Sequence, residues 1–401
     1  MPPTEGGETP PLQRIIVKSS WRVGRVMGID LNLDASWFII VALLIYSLGF
    51  IEFPHELHPR AFAPRADATS IGLGIATSLL LFASVLAHEL SHSWMAIQRG
   101  IAVKRITLFI FGGVAQIADE PDRPSSEFLI AIMGPLMSAM LAAIFGAAWI
   151  WLTILDSTGS VGQWLTAPIL LTRVLAQTNG SLALFNLAPG FPLDGGRVLR
   201  AILWGGMRDL RRATRWATRA GRLIAAIMIG GGALLFFVLS NGGGIWYALI
   251  GVFLWNAASD GYRQMLILET LRGASVGQLM TRVVETVPPD ISIVEFVDGY
   301  LLPRREQTFL VSDGVAALGI IAFKQVKLVP RSEWHTRRVR DVMTPRANLE
   351  SLTPEQTAAA ALARLSTSEQ AELPVLEHNQ IVGFLGQGAL ARYLKLKSDF
   401  A

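Results

Sequence analysis

The sequence predicts a polytopic α-helical membrane protein of about six transmembrane helices followed by a soluble C-terminal half. Of its 401 residues, 51% are hydrophobic and only 16% are charged, and the mean hydropathy is +0.43, a balance unusual for a water-soluble chain. The apolar residues also concentrate before about residue 262, whereas the remainder mixes Asp, Glu, Lys and Arg as an ordinary soluble domain does. The first twenty residues carry Pro, Gly, Glu, Arg and Lys without an apolar centre, so they are expected as a polar lead-in and not as a cleavable signal peptide.

A bilayer core needs about 20 apolar residues per helix. The candidate spans are residues 35–50, 69–100, 128–152, 164–187, 223–239 and 245–258, with a tight turn at Ser240-Asn241-Gly242-Gly243-Gly244 between the last two. Residues 1–34 are then the lead-in, 35–262 the membrane domain and 263–273 a linker. Between the fourth and fifth spans, the stretch from Arg197 to Arg222 holds Arg197, Arg200, Arg208, Arg211, Arg212, Arg215, Arg219 and Arg222 against Asp209 alone. The positive-inside rule turns this segment to the cytoplasm, which puts both termini of a multi-pass cell-membrane protein inside. Because these arginines directly flank spans, they are expected as an anionic-lipid contact and topology signal, and no nucleic-acid site is expected. The two loops assigned to the outside agree: 52–67 holds only Arg60 and Arg65, and 156–163 has no Lys or Arg. Arg173 is expected to snorkel to the outer surface. His55-Glu56-Leu57-His58, bracketed by Pro54 and Pro59, is expected as a solvated loop.

One span departs from the pattern, because it contains His88-Glu89-Leu90-Ser91-His92. His-Glu-x-x-His on a helix places two imidazoles one turn apart on the same face, where both can bind one zinc, while the intervening Glu can activate a water. Three ionisable side chains inside an apolar span are costly and are functional by default. Zinc in hydrolases usually has three protein ligands and an open position. The chain has no cysteine, His55 and His58 fall in the outer loop, and His335 and His378 fall in the soluble half, so the third ligand is expected to be an intramembrane carboxylate. Asp194 fits best, in Asn186-Leu187-Ala188-Pro189-Gly190-Phe191-Pro192-Leu193-Asp194-Gly195-Gly196-Arg197. Its prolines and glycines break the fourth helix, and broken backbone at membrane depth is tolerated only where protein or a water-filled cavity surrounds it. A helix cap just beyond the membrane is the competing role for Asp194. Depth agrees between the two motifs. His92 is seven residues before Arg99, or about 10 Å at 1.5 Å per residue, and Asp194 directly precedes the Arg-rich segment.

Through these two motifs, in this order, the sequence resembles the site-2 protease family of intramembrane metallopeptidases over residues 20–262, including Phe111-Gly112-Gly113-Val114 after the first motif and Gly134-Pro135 early in the third span. The resemblance implies a zinc-dependent endopeptidase acting on a single-span membrane protein, with His88, His92 and Asp194 as ligands of one zinc and Glu89 as general base. Asn186 matches a position that steadies the substrate carbonyl or its oxyanion; an interhelical hydrogen bond is the alternative. The segment Thr107-Leu108-Phe109-Ile110-Phe111 is strand-like, and either offers an edge for strand addition by an unwound substrate or forms a membrane-dipping hairpin. A catalytically dead scaffold and an ion transporter are the rival functions. The intact His, Glu, His and Asp argue against the first, and the confinement of polar residues to one leaflet argues against the second.

Residues 274–330 and 335–394 resemble two copies of a CBS (cystathionine-β-synthase-like) module, which makes the soluble half a tandem α/β pair. The openings Val276-Gly277-Gln278-Leu279-Met280-Thr281 and Val339-Arg340-Asp341-Val342-Met343-Thr344-Pro345 carry the likeness. Gly319-Ile320-Ile321, Leu373-Pro374-Val375-Leu376 and Ile381-Val382-Gly383-Phe384-Leu385 supply strands. Where such modules contact a ribose, this chain has Ala322 and Gln325 in the first copy and Gly386 and Ala389 in the second. Packing or homodimerisation is therefore expected of the pair at least as much as nucleotide binding.

Overall fold

The computed structural model describes residues 20–58, 65–110, 112–117, 121–157, 162–240, 242–282, 285–303, 308–368, 370–378 and 380–399. The expectations for residues 1–19, Pro59, Arg60, Phe111, residues 158–161 and Asn241 lie outside them. The chain divides into two units, Met1–Tyr262 and Arg263–Ala401.

The first unit opens on a strand hairpin where a polar lead-in was expected. Strands β1 (Ser20–Val26) and β2 (Ile29–Asp34) pair antiparallel around Met27 and Gly28, both at positive φ, as a two-residue hairpin turn requires. Strand β2 runs parallel to β3 (Val103–Phe109), which pairs antiparallel with β4 (Gly112–Ile117). The sheet order is β1-β2-β3-β4, so β4 is an edge, whereas β3, the segment expected to offer one, is enclosed between β2 and β4. Ile29, Val103, Ile106 and Leu108 are buried with Ala96 and Ile130, which fixes this sheet against the helix bearing the histidines.

Asp34 ends β2 and caps α1 (Ala35–Leu57), accepting from the Ser36 backbone N–H at 2.9 Å. A π-helical turn at Ser47–Glu52 carries α1 into the helical Phe53–Leu57. The segment expected as a solvated loop is thus largely the last turn of a helix, with Phe53 and Pro54 buried. Glu56 in that turn accepts from Arg173 at 2.8 Å, so Arg173 is ion-paired to a neighbouring helix and does not snorkel alone to the surface.

Helix α2 (Ala68–Gln98) begins at a capping box in which the Asp67 carboxylate accepts from Ser70 N–H at 2.8 Å and the Ser70 hydroxyl faces Asp67 N. That backbone N–H holds the Asp67 carboxyl below its ordinary value of 3.8. The cap is therefore in place above that pH and is lost as the pH falls through the lowered value. Asp67→Ala is expected to lower stability by about 1 kcal/mol at pH 7, with Asp67→Asn close to wild type, as measured by thermal unfolding in detergent.

Helices α3 (Pro124–Ser157) and α4 (Thr166–Asn186) follow, then the broken segment and α5 (Asp194–Met207), α6 (Leu210–Phe237) and α7 (Gly243–Arg272). Among the described residues, four helices are long and apolar enough to cross a membrane: α1, α2, α3 and α6. Helix α4 carries Arg173, Gln177 and Asn179, and α7 carries Asn256 and Asp260, which dilutes their apolar character. The linker expected at 263–273 is helical as far as Arg272.

In the second unit, β5 (Thr286–Val287), β6 (Thr308–Ser312), β7 (Ala317–Ala322) and β8 (Thr344–Pro345) form one sheet, and β9 (Glu372–Glu377) pairs with β10 (Gln380–Gly386). The two halves exchange their opening segments. Val276 lies in a core with Leu352, Leu373 and Leu385, while Val339 lies in a core with Val287, Phe309 and Ile321. Thr281 and Phe384 exchange backbone hydrogen bonds, and Thr344 pairs with Ile320 at the equivalent place. Each core therefore crosses the boundary drawn between residues 330 and 335. Gln325, at a ribose-contact position, donates to Thr344 Oγ1 at 2.9 Å and so serves the fold.

Candidate metal centre

The two histidines lie on one face of α2, four residues apart, both about 5% exposed. Asp194 is the first residue of α5, and its carboxylate turns toward them instead of capping that helix. Asp194 Oδ2 is 3.1 Å from Nε2 of His88 and 3.1 Å from Nε2 of His92, and the two Nε2 atoms are 3.2 Å apart. Among the described residues, these three form the group able to hold a metal ion.

The other nitrogen of each ring decides what this cluster can bind. His92 Nδ1 lies 2.6 Å from the carbonyl of Ile130. A carbonyl only accepts, so Nδ1 carries the proton and the neutral ring presents a lone pair at Nε2. His88 Nδ1 meets the buried Ser138 hydroxyl at 2.8 Å, leaving its Nε2 equally turned inward. A lone pair at His92 Nε2, the Nε2 of His88 and a carboxylate oxygen thus converge, and with the Ser138 hydroxyl accepting from His88 Nδ1 the second Nε2 presents a lone pair too. Three acceptors facing one another repel unless a cation lies among them, and separations of 3.1–3.2 Å are close to the about 3.3 Å edge of a tetrahedron with zinc–nitrogen bonds of about 2.0–2.1 Å. The donor set suits zinc, and the anchored Nδ1 atoms are the outer support that zinc-binding histidines need.

Helix α3 approaches the rings at Gly134, where an added Cβ would fall inside contact distance of both Nε2 atoms. Glu89, beside His88, is overlaid by Gly113 of β4, where a Cβ would strike the Glu89 side chain. Two of the glycines singled out in the sequence therefore mark places where backbone presses against the site. Asp194 is delivered by the turn at residues 187–193, seated on α6 at a mutual glycine contact: a Cβ on Gly190 would meet Gly221, and one on Gly221 would meet Phe191.

Asn186, the last residue of α4, is half-buried and forms no side-chain hydrogen bond with the described residues. The interhelical bond considered for it is made one face-repeat earlier, where the buried Asn179 donates to Ser84 Oγ on α2 at 3.2 Å. Sequence reasoning passed over Ile130, Ser138, Asn179 and Glu127. It also grouped Arg200 with the lipid-facing arginines, whereas Arg200 is 8% exposed, ion-paired with Glu127 and 5.1 Å from the Phe191 ring centroid. The signal available for Glu127, Ile130, Gly134 and Ser138 was their helical spacing of three, four and four on a single face.

Residues 76–155 and 153–228 match the model of peptidase family M50, and residues 339–396 match the CBS domain. Rip3 of Mycobacterium tuberculosis is 32% identical over 377 residues, which is 93% of this chain and 92% of that protein. The zinc metalloprotease MJ0392 of Methanocaldococcus jannaschii is 32% identical over 307 residues, 77% of this chain and 79% of its own length. Among solved structures, the site-2 protease from Methanocaldococcus jannaschii is 30% identical, covers 60% of this chain and 94% of its own, and gives a TM-score of 0.38.

Proposed function

Because the chain belongs to peptidase family M50, the site-2 protease family of zinc-dependent intramembrane endopeptidases, we propose that His88, His92 and Asp194 hold its zinc and that Glu89 is its general base. Supporting this above all is the convergence of two Nε2 atoms and one carboxylate oxygen within 3.2 Å of one another. Zinc, when bound, supplies a Lewis acid that acidifies water and polarises a carbonyl. Glu89 takes the proton of the attacking water and returns it to the leaving amine. The Ile130 carbonyl keeps His92 in the tautomer that presents Nε2, and the Ser138 hydroxyl, by accepting from Nδ1, supports the same tautomer in His88. Asn186, with its amide uncommitted, donates to the scissile carbonyl as charge develops on its oxygen.

The substrate is a single-span membrane protein. Its helix hides each peptide bond within intrahelical hydrogen bonds, so it must unwind locally and find new backbone partners. The edge of β4, whose Gly113 lies against Glu89, offers them by strand addition. In our reading α4 and α7 join the four apolar helices to make six spans, and both termini and the CBS modules are cytoplasmic, a reading supported by the arginines that run from α5 into the first turns of α6. The second unit is a tandem CBS pair acting in packing or homodimerisation, a role supported by the use of Gln325 within the fold.

The test is to incubate the purified protein with a candidate single-span substrate, with and without a zinc chelator, and to map any cut by mass spectrometry. A cut inside the membrane segment that chelation abolishes is expected. A chelator-insensitive cut, or one outside the membrane segment, overturns the mechanism.

A further inference from the structure

One face of α3 touches both halves of the metal centre. Ile130 O holds His92, Gly134 packs on both Nε2 atoms and Ser138 holds His88, so three of its positions register the histidine helix. The fourth position on that face, Glu127, turns to the other half. Its carboxylate is 1% exposed and is paired with Arg200, on the same helix as Asp194 and six residues beyond it. The Arg200 guanidinium in turn faces the ring of Phe191, three residues before Asp194 in the turn that delivers it. Two charges placed in a nearly water-free interior are costly, and either one left alone is costlier still, so the pair resists any displacement of α5 relative to α3.

We propose that the Glu127–Arg200 pair is a positioning device: through Phe191 and α5 it holds Asp194 at the distance from His88 and His92 that zinc requires. Neither residue touches the ligand atoms, and their effect passes through the placement of Asp194. The inference rests on the ligand assignment proposed above. It gives α3 a defined duty, which is to hold two elements separated by a hundred residues in one register.

The experiment measures zinc affinity of the purified full-length protein in detergent by competition with a chromophoric chelator, alongside thermal unfolding of the zinc-free form. Glu127→Gln and Arg200→Met are expected to weaken zinc binding about 10- to 100-fold, the range found when groups supporting metal ligands are lost, and Arg200→Lys by less. Arg173→Met, which breaks the ion pair with Glu56, should lower the unfolding midpoint without changing zinc affinity. The double variant Glu127→Leu/Arg200→Met removes both charges, so its stability should recover while zinc affinity stays low. If zinc affinity recovers with stability in the double variant, or never falls in the single ones, the pair is merely structural and the proposal is overturned. Failure of the ligand assignment looks different: wild type would then hold zinc no better than His92→Ala.

Discussion

Glu89→Gln is expected to lower kcat by about 10²- to 10⁴-fold, the usual worth of a general acid–base, while zinc content and KM stay at wild-type values. The amide has the size of the carboxylate and keeps its place beneath Gly113, but it cannot accept a proton from water. The two adjacent proposed ligands are untouched, because His88 Nδ1 and His92 Nδ1 remain anchored on Ser138 and Ile130. Turnover of the single-span substrate, measured with metal analysis on the same preparation, separates this from loss of the ion. A variant that turns over substrate as fast as wild type would remove Glu89 from the chemistry, and no turnover by either protein would revive the reading of the chain as a catalytically dead scaffold. A variant that is both inactive and zinc-depleted would instead make Glu89 part of the metal's support.

Gly134→Ala is expected to abolish both zinc binding and activity, a larger effect than one methyl group normally produces. The new Cβ would occupy the space of the two Nε2 atoms, and nothing nearby can yield cheaply. Both rings are tethered at their far nitrogens, and the backbone of α3 is held by Ile130 packing into the sheet core and by Glu127 on Arg200. Overpacking a close-packed site costs about 1–3 kcal/mol even where side chains can adjust, and here the atoms displaced are the proposed ligand nitrogens themselves. Gly146→Ala on the same helix is the control, since its Cβ would meet only Ala176 at 3.9 Å. Zinc content, with helicity checked by circular dichroism, reads the outcome. Retention of zinc by Gly134→Ala would mean that α3 stands further from the rings than the structure places it.

Both experiments probe features of unequal visibility in the sequence. His88, Glu89 and His92 were legible because their meaning lies in a local period, and a helix carries any such spacing onto one face whatever surrounds it. Asp194 was legible by elimination, in a chain with no cysteine and few histidines. The β1–β2 hairpin was not, because Arg22, Arg25 and Asp30 give that stretch the look of a polar lead-in. What makes it structure is pairing with β3, some seventy residues further on. Arg200 misled for a related reason. An arginine beside a span is ordinarily a topology signal, and its burial here depends on a carboxylate 73 residues earlier. The exchange of opening segments between the two halves of the second unit is equally invisible to a reading that runs module by module.

What the amino-acid order determined by itself was the chemistry on offer: a membrane-borne chain, a helix presenting two imidazoles and a carboxylate, and a breaking segment ending in a further carboxylate. Local spacing and side-chain type suffice for that. Only the tertiary structure decided which nitrogens face inward, which helix backs them, how Asp194 is brought to them and which arginine is buried. Each of those outcomes is set by contacts between residues far apart in the chain, and close packing settles them only when every partner is in place.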